Sequence, residues 1–161
     1  MSGIIDLFIK VKNYFYLKFF FGPENAIFSH LTGDEKMKLM ELAGRAASSP
    51  DGGVFVEIGS YLGASSCFIS AGIKNSCAGG AKLYCVDTWM NDSMSEGPRD
   101  TFDDFVKNTS RYAEFIVPIR ETSASAAAKF ERGINFLFID GAHSYEAVRA
   151  DADLWLPRVR K

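Results

Sequence analysis

The sequence predicts an α/β fold with a doubly wound, mostly parallel sheet, and three observations carry this prediction. Short apolar runs alternate along the chain with segments of helical periodicity. Three of these runs end in an acidic residue, at Glu57, Asp87 and Asp140. The first run leads at once into a turn with Gly59 and Gly63 and then into a second apolar run, which is the pattern of a buried strand, a tight turn and a helix start.

The elements follow in order from the N-terminus. Residues 4–21 are a predicted amphipathic helix within a separate segment, 1–22, and the main domain is expected over 31–161. Thr32 and Glu35 have the spacing of a capping box that begins a helix over about 34–47. The strands are predicted at 54–58, 82–86, 115–119 and 135–139, and the helices between and after them at 64–73, 101–110, 123–130 and 144–156. In the helix over 101–110, the side chains of Phe102, Phe105 and Val106 are expected to face the core.

The composition is that of an ordinary soluble globular protein. Hydrophobic residues make up 47% and charged residues 24% of the 161 residues, and the net charge is −2. Because there is no basic excess, a nucleic-acid partner is not expected. The three cysteines, Cys67, Cys77 and Cys85, show no CxxC spacing and are expected to be reduced thiols of a cytoplasmic protein.

The N-terminal segment, residues 4–21, is rich in aromatic side chains but carries several charges, which argue against a membrane-spanning helix. Asp6, Lys10 and Asn13 share one face of the predicted helix and leave an apolar surface on the other side. Two alternatives follow. The helix docks on its own domain or on a second copy in a homo-oligomer, or it makes peripheral membrane contact with its lysines near the headgroups.

The acidic strand ends predict a ligand site, because ligands of open α/β sheets lie beyond the carboxyl ends of the strands. Asp87 can accept two hydrogen bonds from ribose hydroxyls, and Gly59 and Gly63 allow close approach of the backbone to a ligand. Thr88 and Trp89 could flank an adenine. The alternatives are that a strand-end carboxylate only caps the following turn and that Trp89 is a core residue.

Three motifs in the same register carry a family resemblance. They are Glu57-x-Gly59-x-x-x-Gly63-x-Ser65, Tyr84-Cys-Val-Asp87-Thr-Trp89, and the run from Phe136 to Asp151 with the signature Ile-Asp-Gly-x-His-x-Tyr. Over about residues 31–157 the chain resembles the class I S-adenosylmethionine-dependent methyltransferases, and within them the small-molecule O-methyltransferase-like branch. The resemblance implies a Rossmann-like sheet with strand order 3-2-1-4, and methyl transfer to a small-molecule or sugar-like acceptor, at oxygen.

The resemblance also implies a role for each matched position. The cofactor, S-adenosyl-L-methionine, is expected to be bound by Glu57, Gly59, Ser60, Gly63, Ser65, Asp87, Thr88, Trp89, Ser123 and Asp140. In that scheme the turn after the first strand holds the methionine part, Asp87 holds the ribose, and Thr88, Trp89 and Ser123 lie near the adenine.

Asp140 and His143 are the catalytic residues that the resemblance implies. Asp140 would sit beside the sulfonium and the acceptor, and it is one metal ligand in metal-dependent relatives. A divalent ion such as Mg²⁺ at Asp140 could lower the pKa of an acceptor hydroxyl, or His143 could act as a base without metal. The alternative for His143 is a turn residue that caps the last helix. No role is assigned to His30.

The chain departs from the family pattern after the helix that follows the fourth strand, because the usual C-terminal strands are absent before Lys161. The fourth strand would then be an exposed apolar edge. Three explanations stay open: a fragment of a longer protein, a sheet completed by another copy, or a truncated module that binds cofactor or assembles without turnover. A nicotinamide-dependent oxidoreductase is disfavoured, since the glycines lack the G-x-G-x-x-G form.

Overall fold

The computed structural model describes residues 2–48, 53–76, 79–91 and 97–161, and it describes side chains from Ile9 onward. The helices in these ranges are α1 Ser2–Phe20, α2 Gly22–Asn25, α3 Gly33–Ala47, α4 Ala64–Asn75, α5 Phe102–Thr109, α6 Ser123–Lys129 and α7 Tyr145–Trp155. The strands are β1 Val54–Ile58, β2 Lys82–Asp87, β3 Ile116–Arg120 and β4 Phe136–Ile139. All four predicted strands are therefore present, with bounds that agree to within one residue.

The described strands form one parallel sheet in the order β3-β2-β1-β4, which confirms the predicted fold class and strand order. In the central register Glu57 lies level with Cys85 of β2 and Phe138 of β4. The carboxyl ends of β1, β2 and β4 consequently lie side by side at one edge of the sheet.

Alternating side chains of each strand enter two different cores, as a sheet covered on both faces requires. On one face Phe55 and Leu83 pack with residues of α3 and α4, among them Leu39 and Ile69. On the other face Val56 and Val86 join Ala127 of α6 and Trp155 of α7. The sheet is thus doubly wound, with α3, α4 and α5 on one side and α6 and α7 on the other.

Helix α1 docks on its own domain through one side. Leu17 and the following Phe21 are buried, and the Phe21 ring lies 4.8 Å from the ring of Phe68 in α4, centroid to centroid. The Asn13 side chain donates a 2.8 Å hydrogen bond to Asp34 at the start of α3. None of the helices that the structure describes is long and apolar enough to cross a bilayer.

One local expectation is wrong. Val106 was expected to face the core but is 48% exposed, whereas its neighbour Phe105 on α5 is buried. Among the described strands β4 lies at the edge of the sheet, as expected. Only the described residues just before it are paired there: the backbone of Ile134 pairs in parallel with Val159, which follows the turn at Pro157. Cys67 and Cys85 are free and buried, as expected, and Cys77 lies outside the described residues.

Candidate functional site

A cleft of about 380 Å³ opens beyond the carboxyl ends of the strands, where the sequence predicts a ligand site. Its wall collects residues that follow each strand of the sheet: Gly59 after β1, Asp87 and Thr88 after β2, Ser123 after β3 and Asp140 after β4. Two larger depressions, of about 830 and 580 Å³, lie along α1 and α3 and contain none of the predicted site residues.

Asp87 is held rigidly at the end of β2. Its Oδ2 accepts a 2.8 Å hydrogen bond from the backbone N–H of Tyr61, and its Oδ1 accepts one of 2.7 Å from the N–H of Trp89. Asp87 therefore caps the turn that follows it, which was the alternative to ligand binding for a carboxylate at a strand end. A carboxylate oxygen has two lone pairs, so each oxygen keeps acceptor capacity toward the cleft.

Glu57 lies behind the turn and not on the cleft wall. Its side chain is fully buried on the α4 side of the sheet, where it accepts a hydrogen bond from the Ser66 hydroxyl. Burial raises the pKa of Glu57, and the hydroxyls of Ser65 and Ser66 oppose that rise. Its Oε1 has no hydrogen-bond partner among the described residues. Glu57 thus supports the turn from below.

Two of the three serines in the expected cofactor set, Ser60 and Ser65, are buried as well. Ser60 is 2% and Ser65 6% exposed, and neither lines the cleft. The alternation of side chains along β1 explains this arrangement: Ile58 faces the cleft and the α7 side, whereas Glu57 and the serines near it face α4. The polar cluster holds the start of α4 in place.

The two glycines of the turn are required by packing within the protein. Gly59 has a φ of +84°, and a Cβ atom there would lie 2.3 Å from the carbonyl oxygen of Asp140. Gly63 has a φ of +87°, and a Cβ atom there would lie 2.4 Å from the Thr109 methyl group on α5. Of the two, only Gly59 lies on the cleft wall. Gly59 therefore lets the turn approach the end of β4 closely.

Trp89 is a core residue, which was the alternative to its predicted place beside adenine. The indole is fully buried against Phe102 and Phe105, and its Nε1 donates a 2.9 Å hydrogen bond to the carbonyl of Tyr61. Its neighbour Thr88 does line the cleft. The indole therefore has no surface to offer a ligand.

Asn91 occupies the cleft wall beside Thr88, and sequence reasoning missed it. It is 6% exposed and its amide nitrogen donates to the carbonyl of Gly97. Its Oδ1 is buried and has no partner within the described part of the chain. The backbone at Asn91 is left-handed, with a φ of +59°, a conformation that asparagine adopts more readily than most residues. This preference of asparagine for the left-handed region was the one feature of the sequence that could have pointed to Asn91.

Asp140 lies half-buried on the wall between β1 and α7, with its backbone N–H donating 2.8 Å to the carbonyl of Ile58. Burial raises the pKa of its carboxyl, and the nearby charges of His143 and His30 act in the opposite direction. His143 itself is exposed. His30, to which the sequence assigned no role, thus comes close enough to Asp140 to influence its charge.

The metal expected at Asp140 finds no support. Across residues 2–48, 53–76, 79–91 and 97–161, no group of three or more His, Cys, Asp or Glu side chains could hold a metal ion. Asp140 and His143 are too few ligands for Mg²⁺, which needs near-octahedral oxygen coordination. The described residues therefore do not fit a metal site.

Ser123 and Asp151 form a pair on the far side of the cleft. The Ser123 hydroxyl donates to Asp151 Oδ1 and accepts a 2.9 Å hydrogen bond from the indole N–H of Trp155. Both side chains line the cleft, and Asp151 is buried. Asp151 belongs to the run that carries the family resemblance, but no function was predicted for it. Only the packing of α7 in the folded chain shows that its side chain points toward the cleft.

Comparisons with known proteins agree with this geometry. The model of a family described as a methyltransferase domain matches residues 56–161. An O-methyltransferase from Bacillus cereus, solved in complex with SAH, superposes with a TM-score of 0.62 at 12% identity, over 93% of this chain and 68% of that one. At that identity the likeness shows the fold alone.

A protein of Sinorhizobium fredii, y4gI, is 28% identical over 107 residues, or 65% of this chain, and this chain spans only 12% of that protein's length. Its name describes no function. The family match covers more than half of the chain and contains every predicted site residue from Glu57 to His143. The chain therefore belongs to the methyltransferase-domain family, as the resemblance in its sequence predicted.

Proposed function

We propose that this chain binds S-adenosyl-L-methionine in the cleft and transfers its methyl group to an oxygen of a small-molecule acceptor. One observation carries the proposal: the fixed carboxylate of Asp87 and the half-buried carboxylate of Asp140 line the same cleft. The first suits the sugar of a nucleoside and the second suits a reacting centre.

The residues present fit the cofactor. The free lone pairs of Asp87 can accept hydrogen bonds from both ribose hydroxyls. The unpartnered Oδ1 of Asn91 is an acceptor that suits the exocyclic amine of adenine. Asp140 and Asp151 add negative charge to the wall, which favours a positively charged sulfur. The bound cofactor supplies an activated methyl group on that sulfur.

Asp140 is the proposed base. Its raised pKa makes it a stronger proton acceptor than an exposed aspartate, and its place on the wall brings it to the acceptor. Asp140 would take the acceptor's hydroxyl proton on a carboxylate oxygen. The bound cofactor would supply the methyl group: the acceptor oxygen would bond to the methyl carbon as the sulfur–methyl bond breaks, and the demethylated cofactor would leave with that electron pair. Orientation of the two reactants supplies most of the rate enhancement in such a displacement. His143, which is exposed, is the second expected catalytic residue and remains a prediction.

The acceptor class is proposed from the cleft and from one protein of the same fold. The cleft is partly open to solvent, which suits a small hydroxylated molecule beside the cofactor. The Bacillus cereus protein of the same fold is named an O-methyltransferase, which supports oxygen as the acceptor atom here.

The test is transfer of a labelled methyl group from the cofactor to a panel of small hydroxylated acceptors, with wild-type protein, Asp140→Asn and the exposed control Asp153→Asn. We expect transfer by the wild type and by the control, and loss with Asp140→Asn. Binding of the cofactor without transfer to any acceptor would contradict the enzymatic proposal and favour a noncatalytic cofactor-binding module. Failure to bind the cofactor would contradict both.

A further inference from the structure

Over residues 9–20, helix α1 turns an apolar side to solvent. Val11, Phe15 and Phe19 follow one another at intervals of four residues, so they form a single stripe along the helix, here called the aromatic stripe. Their exposed fractions are 46%, 52% and 71%. The rings of Phe15 and Phe19 are stacked, with centroids 6.1 Å apart. The stripe is therefore continuous and unburied in the folded domain.

The opposite side of α1 packs against the domain. Leu17 inserts into the cluster around Phe68, and the polar side chain of Asn13 donates to Asp34 of α3. This arrangement reverses the usual surface helix, which buries its apolar face and exposes its polar one. The docking of α1 therefore leaves the aromatic stripe free for an apolar environment outside the domain.

The charges beside the stripe are all positive. With 3.6 residues per turn, Lys12 and Lys18 lie about 60° to either side of Phe15 around the helix. Both lysines are exposed, and Lys18 Nζ lies 5.9 Å from the centroid of the Tyr14 ring. The sequence from Ile9 to Phe21 contains no acidic residue. An apolar stripe bordered by cations on both sides matches the interface of an anionic membrane.

We propose that α1 binds flat on an anionic lipid surface, with the aromatic stripe in the headgroup–acyl boundary and Lys12 and Lys18 at the lipid phosphates. The partner is a membrane and not a second copy, because a two-fold contact through this stripe would bring lysines of like charge together at its borders. This inference does not depend on methyl transfer. It would hold the cleft-bearing domain at a membrane surface.

The test is co-sedimentation of the full chain with vesicles of phosphatidylcholine alone or with phosphatidylserine added. We expect binding to the anionic vesicles, and a loss of at least about tenfold in partitioning for Phe15→Gln/Phe19→Gln, because two large apolar side chains leave the boundary. Lys12→Gln/Lys18→Gln should reduce the preference for anionic vesicles by roughly fivefold for each lysine.

The matched control is Leu42→Gln/Val106→Gln, which removes exposed apolar side chains from α3 and α5 and should bind as the wild type does. Circular dichroism verifies that each variant is folded. Equal sedimentation of the wild type and Phe15→Gln/Phe19→Gln, or no sedimentation of the wild type, would overturn the proposal. A wild-type dimer without vesicles that Phe15→Gln/Phe19→Gln converts to a monomer would also overturn it, in favour of a second copy.

Discussion

The backbone N–H of Tyr61, in the turn after β1, donates a 2.8 Å hydrogen bond to Oδ2 of Asp87 at the end of β2. This bond joins the glycine turn and the strand-end carboxylate, which are 26 residues apart in the chain. Trp89 strengthens the connection, since its indole N–H donates back to the Tyr61 carbonyl. The turn and the carboxylate therefore form one rigid unit, and a change at either end is expected to affect the other.

Gly59→Ala tests the close approach of the turn to β4. A Cβ atom at residue 59 would lie 2.3 Å from the Asp140 carbonyl oxygen. The alanine would also have to adopt the left-handed backbone conformation of Gly59. We expect the free energy of unfolding, measured with urea, to fall by roughly 3 kcal/mol or more. Gly80→Ala is the matched control, because Gly80 has a φ of +83° with nothing within 4 Å. It should lose only about 1–2 kcal/mol, and equal losses would refute the steric explanation.

Glu57→Gln tests the buried carboxyl under the turn. Burial raises the pKa of Glu57 in the folded protein above its ordinary value of 4.5, so the native state holds this proton more tightly than the unfolded state. The resulting stabilisation is complete below pH 4.5 and is lost as the pH rises through the native pKa. The variant removes this loss. Its free energy of unfolding, relative to the wild type, should therefore increase above pH 4.5 by at most about 1.4 kcal/mol per pH unit.

The exposed Glu131→Gln is the control for this titration. Urea unfolding at a series of pH values measures both variants against the wild type. A difference between Glu57→Gln and the wild type that stays constant with pH would show that residue 57 does not exchange its proton on unfolding.

Ser123→Ala tests the pair on the far wall of the cleft. The substitution leaves Asp151 Oδ1 without its hydroxyl donor and the buried indole N–H of Trp155 without its acceptor. We expect a loss of about 1–3 kcal/mol in the free energy of unfolding, because buried polar groups without partners are costly. Ser125→Ala, on the same helix but bonded to the partly exposed Glu121, is expected to change the free energy of unfolding less. Similar losses for both variants would show that the hydrogen bonds of Ser123 to Asp151 and Trp155 do not stabilise the fold more than those of Ser125.

Asp140→Asn separates catalysis from binding. The amide keeps the shape of the wall but cannot take a proton, so kcat for methyl transfer should fall at least about 100-fold. The dissociation constant of the demethylated cofactor, whose sulfur is uncharged, should change little. In the wild type, kcat should rise with pH through a pKa above the ordinary value of 3.8 for aspartate. An unchanged kcat in the variant would assign the proton to another group, of which His143 is the nearest predicted one.

Much of the fold could be predicted because its strands are short apolar runs with clear ends. β1 is predicted over 54–58 and observed as Val54–Ile58, since a short run that is apolar except for Glu57 and buried on both faces has few alternatives. Asp87 and Asp140 also mark the carboxyl ends of β2 and β4. The sheet edge that holds the cleft follows directly from these positions.

The lining of the cleft was harder to predict. The direction in which each side chain points depends on local backbone angles, which the sequence pattern reveals poorly. Trp89 has a left-handed φ of +53°, which swings its ring into the core and brings Asn91 to the wall instead. Glu57 shares a strand with Ile58, yet adjacent side chains of a strand point to opposite faces. His30 reaches the Asp140 region from a distant part of the chain, and the direction of the Asp151 side chain depends on how α7 packs, so only the folded structure reveals them.

Calorimetric titration of the demethylated cofactor, S-adenosylhomocysteine, into the wild type and Asp87→Ala tests the central claim most directly. We predict binding to the wild type and an affinity reduced by more than about tenfold in the variant, since the ribose loses a charged acceptor. The control Asp153→Ala, on an exposed position of α7, should bind as the wild type does. Equal affinity of the wild type and Asp87→Ala, or no binding to a folded wild-type sample, would contradict the account.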